Sequence, residues 1–420
     1  MLEKFHRIPL LILVVLAAAA ATLVYLSGTA GFFVAEIGVG QFNIKQSIAS
    51  LAKASLFAPL KPLMYALIIL SIGSSLAISR GGLGAKFIRV FAFFITFSTI
   101  GAIVCITGYS IFSNLSVLPD PTGATGEVSA NIASSIPYAA KIYGVITSEL
   151  MVSIYAGIIF GYALKRLDFG READKASDLF QAGFRKFLQF TIPLAVFGSI
   201  TGALSKPDGV ATLSNLVPFV GVYMLTFGIV WVVMLLVTSF VLGKPLSFVF
   251  RAVFPQAVVA ISTSSSIATL PATKVACDQL GANGDEATPF FTIGATINMV
   301  GTLMGLTLLS LYTMKAYGLP VTTADQIIVA LQSLIYSVSA AGVPSASIVL
   351  LGDILTSQSV SAEYATYITG LIITIDTLVL DRLRTALNTQ SDSMSTTMGL
   401  HLYYKKPAIL GETESSNRSA

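Results

Sequence analysis

Charged side chains are scarce in this chain of 420 residues, because Asp, Glu, Lys and Arg together make up only 11% of it. Soluble domains carry about 25% charged residues. Since 54% of the chain is also hydrophobic, the composition excludes an ordinary soluble domain and indicates a polytopic membrane protein. The net charge of +4 is small and scattered along the chain, so nothing in it points to nucleic acid as a partner.

Histidine and cysteine are scarce as well. The histidines, His6 and His401, lie near the two ends of the chain. Neither is therefore placed to activate a serine nucleophile, and we do not expect an enzyme. The cysteines, Cys105 and Cys277, lie far apart in sequence and are expected to be small, buried apolar residues.

Long hydrophobic runs dominate what is present. Before residue 244, stretches long enough to cross about 30 Å of hydrocarbon cover 8–27, 52–78, 87–113, 141–165, 179–204 and 215–243. The first is read as a transmembrane helix, because about 18 apolar residues is long for a signal peptide. Lys and Arg cluster before the first stretch and after every second one, which predicts a cytoplasmic N-terminus and an alternating path.

After residue 244 two apolar stretches are interrupted at their middles. The stretch 246–276 contains STSSSIATLP, and the stretch 324–352 contains SVSAAGVPSAS. Each half has about 12–15 residues, too few to span a membrane alone, so each stretch is predicted to form a re-entrant helical hairpin rather than a kinked span. A full-length span follows each, at 287–312 and 361–392. This repeat is typical of transporters whose broken helices meet at the midplane.

The last of these spans carries a polar stripe. Asp381, Arg384, Thr385, Asn388 and Asp392 point within about a 100° arc of one helix face. The stripe cannot face lipid, because each charge at bilayer depth costs about 2.5–3.5 kcal/mol on insertion scales. A guanidinium and two carboxylates on one buried face predict a site for a small zwitterion and a cation.

Four motifs, SSSIATLP, NMVGT, AAGVPSAS and DRLRTALN…D, occur in this order. With them the chain resembles the dicarboxylate/amino acid:cation symporters, which include the excitatory amino-acid transporters and archaeal aspartate transporters. The resemblance covers most of the chain and is strongest over 250–395. It implies an all-α membrane fold of eight transmembrane helices and two re-entrant hairpins. It also implies elevator motion, a homotrimer, and a place in the cell membrane with both termini cytoplasmic.

The same resemblance divides the chain into a static scaffold and a moving transport domain. Spans 1–2 of the scaffold would cover 1–80, and span 3 of the transport domain 81–113. The segment 114–243 would hold scaffold spans 4–5 and transport span 6. The transport core would cover 244–395, and a cytoplasmic tail 396–420.

The resemblance also assigns substrate-binding roles. Asp381 would bind the substrate α-amino group, and Arg384 would bind a side-chain carboxylate in bidentate fashion. Thr302 would contact the same carboxylate, while Ser264 and Arg382 would support the site from the side. The remaining substrate-binding candidates are Ser265, Ser266, Ala341, Gly342, Val343, Thr385 and Asn388.

Two sodium sites are implied, each built from oxygen ligands suited to a hard cation. The first would use Asn298, Asn388 and Asp392, and the second Thr296, Met299, Ser337, Val338 and Ala340. No other cofactor is expected.

Several positions depart from the family pattern. Val300 replaces a sodium-binding aspartate, Leu306 replaces a glutamate implicated in proton movement, and Phe94 and Phe97 occupy aromatic and hydroxyl positions of span 3. Fewer coupled ions are therefore expected. Asp376 precedes Asp381 by five residues rather than the family's four, which on a regular α-helix places it off the ligand face.

The pairing of Arg384 with Asp381 favours L-glutamate or L-aspartate, because the neutral amino-acid branch lacks the arginine and the purely dicarboxylate branch lacks the aspartate. Three alternatives stay open: a neutral amino-acid or C4-dicarboxylate symporter, coupling to H⁺ instead of Na⁺, and an anion-channel-like conductance. The expected partners are a small acidic amino acid, membrane lipid and two further copies of the chain.

Overall fold

The computed structural model describes residues 10–28, 37–39, 44–46, 48–78, 84–114, 143, 146–205, 209–214, 216–338 and 347–405. The first helices are α1 (Leu10–Leu26), α2 (Ile48–Ile78), α3 (Gly84–Phe112), α4 (Glu149–Arg166), α5 (Gly170–Leu204), α6 (Gly209–Ser214) and α7 (Leu216–Leu242). They are followed by α8 (Leu246–Thr263), α9 (Ser266–Leu280), α10 (Gly284–Ile297), α11 (Val300–Ala316), α12 (Thr323–Ser337), α13 (Ser347–Ser357), α14 (Ala362–Ile375) and α15 (Asp381–Tyr404).

Among the described residues, the fold is helical apart from one short ribbon. Strands β1 (Ile37–Val39) and β2 (Ile44–Gln46) pair antiparallel, with Val39 opposite Ile44. The predicted all-α class did not include this ribbon, because three-residue strands are too short to show an alternating pattern.

In the part of the chain that the structure describes, six helical runs are long and apolar enough to cross a membrane by length and composition. They are Gly84–Phe112, Gly170–Leu204, Gly209–Leu242, Leu246–Thr263, Gly284–Ala316 and Ala362–Tyr404. The run Leu246–Thr263 is the first half of the first predicted hairpin and has 18 residues, so the prediction that each half is too short to span a membrane is wrong for it. Shorter apolar helices cover Ile12–Leu26 and Pro62–Ser74. The described chain thus has the apolar helices of a polytopic membrane protein, while the count of eight spans stays a prediction.

The helices form two packing groups. In the first, α2 and α5 pack closely together, with α1 against α5 and α4 against α2. Its core includes Val14, Met64, Leu67, Phe184 and Leu188. In the second, α11 and α15 lie at the centre and pack against α3, α7–α10, α12 and α13. Helix α14 joins the groups by packing on α5. The division into scaffold and transport domain stays a prediction.

The first predicted hairpin and the span after it are each divided into two helices. Helices α8 and α9 pack against each other, and the chain turns between them at Ser264, whose φ of 50° is left-handed. Helices α12 and α13 contact each other, and the second tip, residues 339–346, lies outside the described residues. The predicted span 287–312 is itself two helices, α10 and α11, separated at Asn298 and Met299.

Helix α15 continues through residues 396–404, which the sequence analysis assigned to the tail. A polar cluster at this end links three helices. Lys86 of α3 forms an ion pair of 2.6 Å with Glu286 of α10 and donates a 2.9 Å hydrogen bond to the Tyr404 hydroxyl. These contacts extend the helix past the end of the polar stripe.

Candidate functional site

A π-helical turn at Asp376–Leu380 sets the register of the polar stripe. The backbone N–H of Asp381 donates to the carbonyl of Asp376, five residues earlier, in place of the four-residue spacing of an α-helix. One turn here therefore holds an extra residue, and both carboxylates lie on the same side. The prediction that Asp376 points away from the ligand face is wrong, because it assumed a regular helix.

Arg384 is held by both of these carboxylates. Its Nη1 and Nη2 atoms lie 2.5 and 3.0 Å from the two carboxylate oxygens of Asp376, a bidentate pair, and Nη2 also lies 2.9 Å from Asp381 Oδ1. The exposed fractions of the Arg384 and Asp376 side chains are 2% and 0%. Two negative charges thus surround one positive charge, and the cluster is formally anionic by one unit.

Glycines on α11 make room for the arginine. A Cβ on Gly305 would lie 2.6 Å from Arg384 Cδ and 2.7 Å from the Tyr223 hydroxyl oxygen. A Cβ on Gly301 would lie 2.5 Å from the carbonyl oxygen of Arg384. Helices α11 and α15 therefore approach each other at a distance that only glycine permits.

Asn388 joins the stripe to the broken span. Its Oδ1 accepts hydrogen bonds from the backbone N–H groups of Gly301, at 2.7 Å, and Thr302, at 3.3 Å. Its Nδ2 donates to Thr302 Oγ1 and to Met299 Sδ, both at 3.1 Å. Asn388 thus satisfies N–H groups that the start of α11 leaves unpaired, and the structure brings it together with Thr302 and Met299.

Asp392 and Asn298 form a second buried cluster one turn further along α15. The Asn298 amide donates to Asp392 Oδ1 and to Ser391 Oγ, both at 2.9 Å. Asn298 Oδ1 is buried and has no hydrogen-bond partner among the described residues. A Cβ on Gly294 would lie only 2.5 Å from Asp392 Oδ1. A buried carboxylate with an unsatisfied amide oxygen beside it fits a hard cation such as Na⁺.

The tip of the first hairpin presents the start of α9. Ser265 is extended, and its hydroxyl accepts from the backbone N–H of Ala268, so it is the N-cap of that helix. Ser264 and Ser266 are buried beside it. Arg382 Nη1 donates to the carbonyl of Ile261, at 2.5 Å, which ties α15 to the end of α8.

The other predicted ligands are placed as follows. Thr385 Oγ1 donates to the carbonyl of Asp381, Thr296 Oγ1 to Ile293 and Ser337 Oγ to Leu334, each at 2.8 Å. These three hydroxyls therefore bond within their own helices. Val338 follows the end of α12, and residues 340–343 lie outside the described residues, so the second predicted sodium site is described only in part.

Comparison with known proteins gives the family. A model of the sodium:dicarboxylate symporter family matches residues 10–401. This chain belongs to the sodium:dicarboxylate symporter family. A serine/threonine transporter of Acinetobacter baumannii is 29% identical over 208 residues, or 49% of this chain and 51% of that protein. One of Streptococcus thermophilus is 28% identical over 216 residues, or 51% of this chain and 53% of that protein. The chain thus spans about half the length of the curated relatives it matches.

The residues that depart from the family's motif pattern are buried as well as apolar. Val300 and Leu306 of α11, and Phe94 and Phe97 of α3, are all buried. A Cβ on Gly294 would lie 3.0 Å from Phe94 Cζ, which places that ring beside the Asp392 cluster. An apolar wall therefore bounds this cluster on the side of α3.

Sequence reasoning missed a buried polar network between the first hairpin and α15. Gln256 of α8 donates to Thr273 Oγ1 at 2.9 Å and to the carbonyl of Thr389 at 2.6 Å. Its Oε1 accepts from Ser393 Oγ at 2.8 Å, and Gln390 Nε2 donates to the carbonyl of Val253 at 3.0 Å. Gln256 stands within an apolar stretch, and that contrast could have identified it. The network fixes the hairpin to the helix that carries the site.

Proposed function

We propose that this protein is a secondary symporter that moves a small neutral amino acid of the serine/threonine class with a sodium gradient. The proposal replaces the acidic substrate favoured by the sequence with the neutral amino-acid alternative. The observation behind it is the state of Arg384, which is buried and paired with two carboxylates.

Arg384 is a poor binding partner for the side-chain carboxylate of an acidic substrate. Its carboxylate would have to displace Asp376 or Asp381 from Arg384, and breaking a buried pair costs about 3–5 kcal/mol. It would also add a further negative charge to a cluster that is already anionic. A neutral amino acid avoids both penalties, because it brings no side-chain charge to the site.

A zwitterion matches the rest of the geometry. Its ammonium group would bind the carboxylate of Asp381, a charge-assisted hydrogen bond. Its carboxylate would bind the start of α9, since a helix N-terminus carries about half a positive charge and unpaired N–H donors. The hydroxyl of serine or threonine would then meet the polar pair of Thr302 and Asn388.

The coupling ion would bind at Asp392 and Asn298. Both offer oxygen atoms, which is the ligand type that hard cations require. Val300 contributes no carboxylate near this cluster, so fewer ions per substrate are expected than in relatives that have an aspartate there. The family is named for sodium coupling, and the two relatives compared above are named as serine/threonine transporters.

Three features of the assembly belong to the same proposal. The chain would form eight spans with two re-entrant hairpins, and it would assemble as a homotrimer with cytoplasmic termini. The second packing group would move against the first in an elevator motion. Few contacts join the two packing groups, and most of them are between α14 and α5. This supports a division into a scaffold and a transport domain.

Uptake into proteoliposomes tests the proposal. Radiolabelled serine, threonine, aspartate, glutamate and succinate are compared under inward sodium and inward proton gradients. We expect concentrative uptake of serine or threonine with sodium only. Asp381→Asn should abolish it, whereas Glu363→Gln, an exposed carboxylate in the first turn of α14, should not. Aspartate uptake equal to that of serine would refute the proposed substrate class. Uptake driven only by protons would refute sodium as the coupling ion.

A further inference from the structure

A groove of about 210 Å³ lies between α7, α8 and α15. Helix α7 contributes Gly228 and Trp231, α8 contributes Phe254 and Ile261, and α15 contributes Ala386 and Gln390. Apart from Gln390, all the residues that line it are apolar. We name it the α7–α8–α15 groove.

The rim of the groove is apolar and exposed. At its rim Met224, Phe254 and Ile261 are 50%, 46% and 39% exposed. They belong to helices that are apolar enough to span a membrane. Water in such a groove would find almost no hydrogen-bond partners, so hydrocarbon is the favourable filling.

The groove lies on the back of the candidate site. Leu383, Ala386 and Leu387 of α15 line it, and they alternate along that helix with Arg384 and Asn388 of the polar stripe. The wall formed by α8 ends at Ile261, whose carbonyl accepts the hydrogen bond from Arg382. An occupant of the groove would therefore contact both α15, which carries the site, and the first hairpin, which packs against α15.

We propose that one acyl chain of a membrane phospholipid occupies the α7–α8–α15 groove. The apolar lining, and an exposed apolar rim on helices that are apolar enough to span a membrane, both favour a chain over a polar ligand. By filling the groove, the chain supports the packing of α8 against α15.

Tryptophan fluorescence can report whether an acyl chain occupies the groove. Trp231 is the only tryptophan in the sequence, and it lines the groove with its ring edge-on to Phe250 at 5.7 Å between centroids. Along α7 it lies about 16 Å before Leu242 at 1.5 Å per residue. That is about half of a 30 Å hydrocarbon core, so Trp231 is expected near the centre of the bilayer.

Fluorescence quenching by brominated phosphatidylcholine tests the proposal. The protein is reconstituted in vesicles whose lipid chains carry bromine either near the terminal methyl or near the headgroup. Gly228→Leu fills the groove, and Gly221→Leu is its control on the same helix outside the lining. A Cβ at either glycine meets nothing within 4 Å, so both variants should fold, which circular dichroism checks. Gly228→Ala serves as a smaller filling.

We expect strong quenching of the unsubstituted protein, greatest with bromine near the chain terminus. Gly228→Leu should lower it at least twofold, Gly228→Ala by less, and Gly221→Leu not at all. Equal quenching in all four proteins would mean that Trp231 senses only the surrounding lipid, and it overturns the proposal. Absence of quenching in the unsubstituted protein also overturns it, since a second copy or another part of the chain then covers the groove.

Discussion

Asp376→Asn should change the substrate preference of this protein. In the structure Asp376 binds Arg384 through both carboxylate oxygens, while Asp381 holds the same guanidinium at 2.9 Å. Asparagine has nearly the same shape and can still accept one hydrogen bond from Arg384. The substitution therefore removes a charge without opening a cavity, and the formal charge of the cluster rises from −1 to zero.

The size of the effect follows from the distance between charges. A substrate carboxylate about 4 Å from the Asp376 carboxylate would be repelled by about 4 kcal/mol at an effective dielectric constant of 20, and by about 2 kcal/mol at twice that distance. Since about 1.4 kcal/mol corresponds to a factor of ten, the ratio of aspartate to serine uptake should rise at least tenfold.

The assay compares the two rates in proteoliposomes under one sodium gradient. Glu363→Gln is the matched control, because it removes a carboxylate of the same helical run far from the arginine in sequence. Thermal unfolding in detergent shows whether the variant remains folded, since losing part of a buried pair destabilises a protein. An unchanged ratio in a folded Asp376→Asn protein would refute the reasoning that the paired arginine excludes acidic substrates.

Three further outcomes are expected. Asp392→Asn should raise the sodium concentration for half-maximal uptake at least tenfold, because the buried cluster with Asn298 loses its charge; an unchanged sodium dependence contradicts this assignment. Gly301→Ala should lower the melting temperature and uptake together, because its Cβ would lie 2.5 Å from the carbonyl oxygen of Arg384; normal stability would show that the helices can separate at no cost. Gln256→Leu should destabilise the protein by about 1–3 kcal/mol, since it leaves buried hydrogen-bond partners unsatisfied. A stability within error of the unsubstituted protein would mean that the network is dispensable.

Much of the fold followed from residue patterns. Apolar runs located α1, α2, α3 and α7 to within a few residues, because a span needs a fixed length of hydrocarbon, whereas α5 begins nine residues before its predicted run. Ser and Pro interruptions located the break between α8 and α9. The ribbon of β1 and β2 escaped notice because its strands are too short for a periodic signal, and the break at Asn298 escaped because neither it nor Met299 is a strong helix breaker.

The sequence by itself determined that this protein lies in a membrane, belongs to a symporter family and concentrates its polar residues on one face of the last helix. Hydrophobic length and the cost of charge in lipid are local properties, so they can be read from residue order. Only the tertiary structure decided what Arg384 does. A π-helical turn brings Asp376 round to it, and two glycines of α11 admit its side chain. Those contacts depend on helix register and on the distance between helices, neither of which residue order specifies.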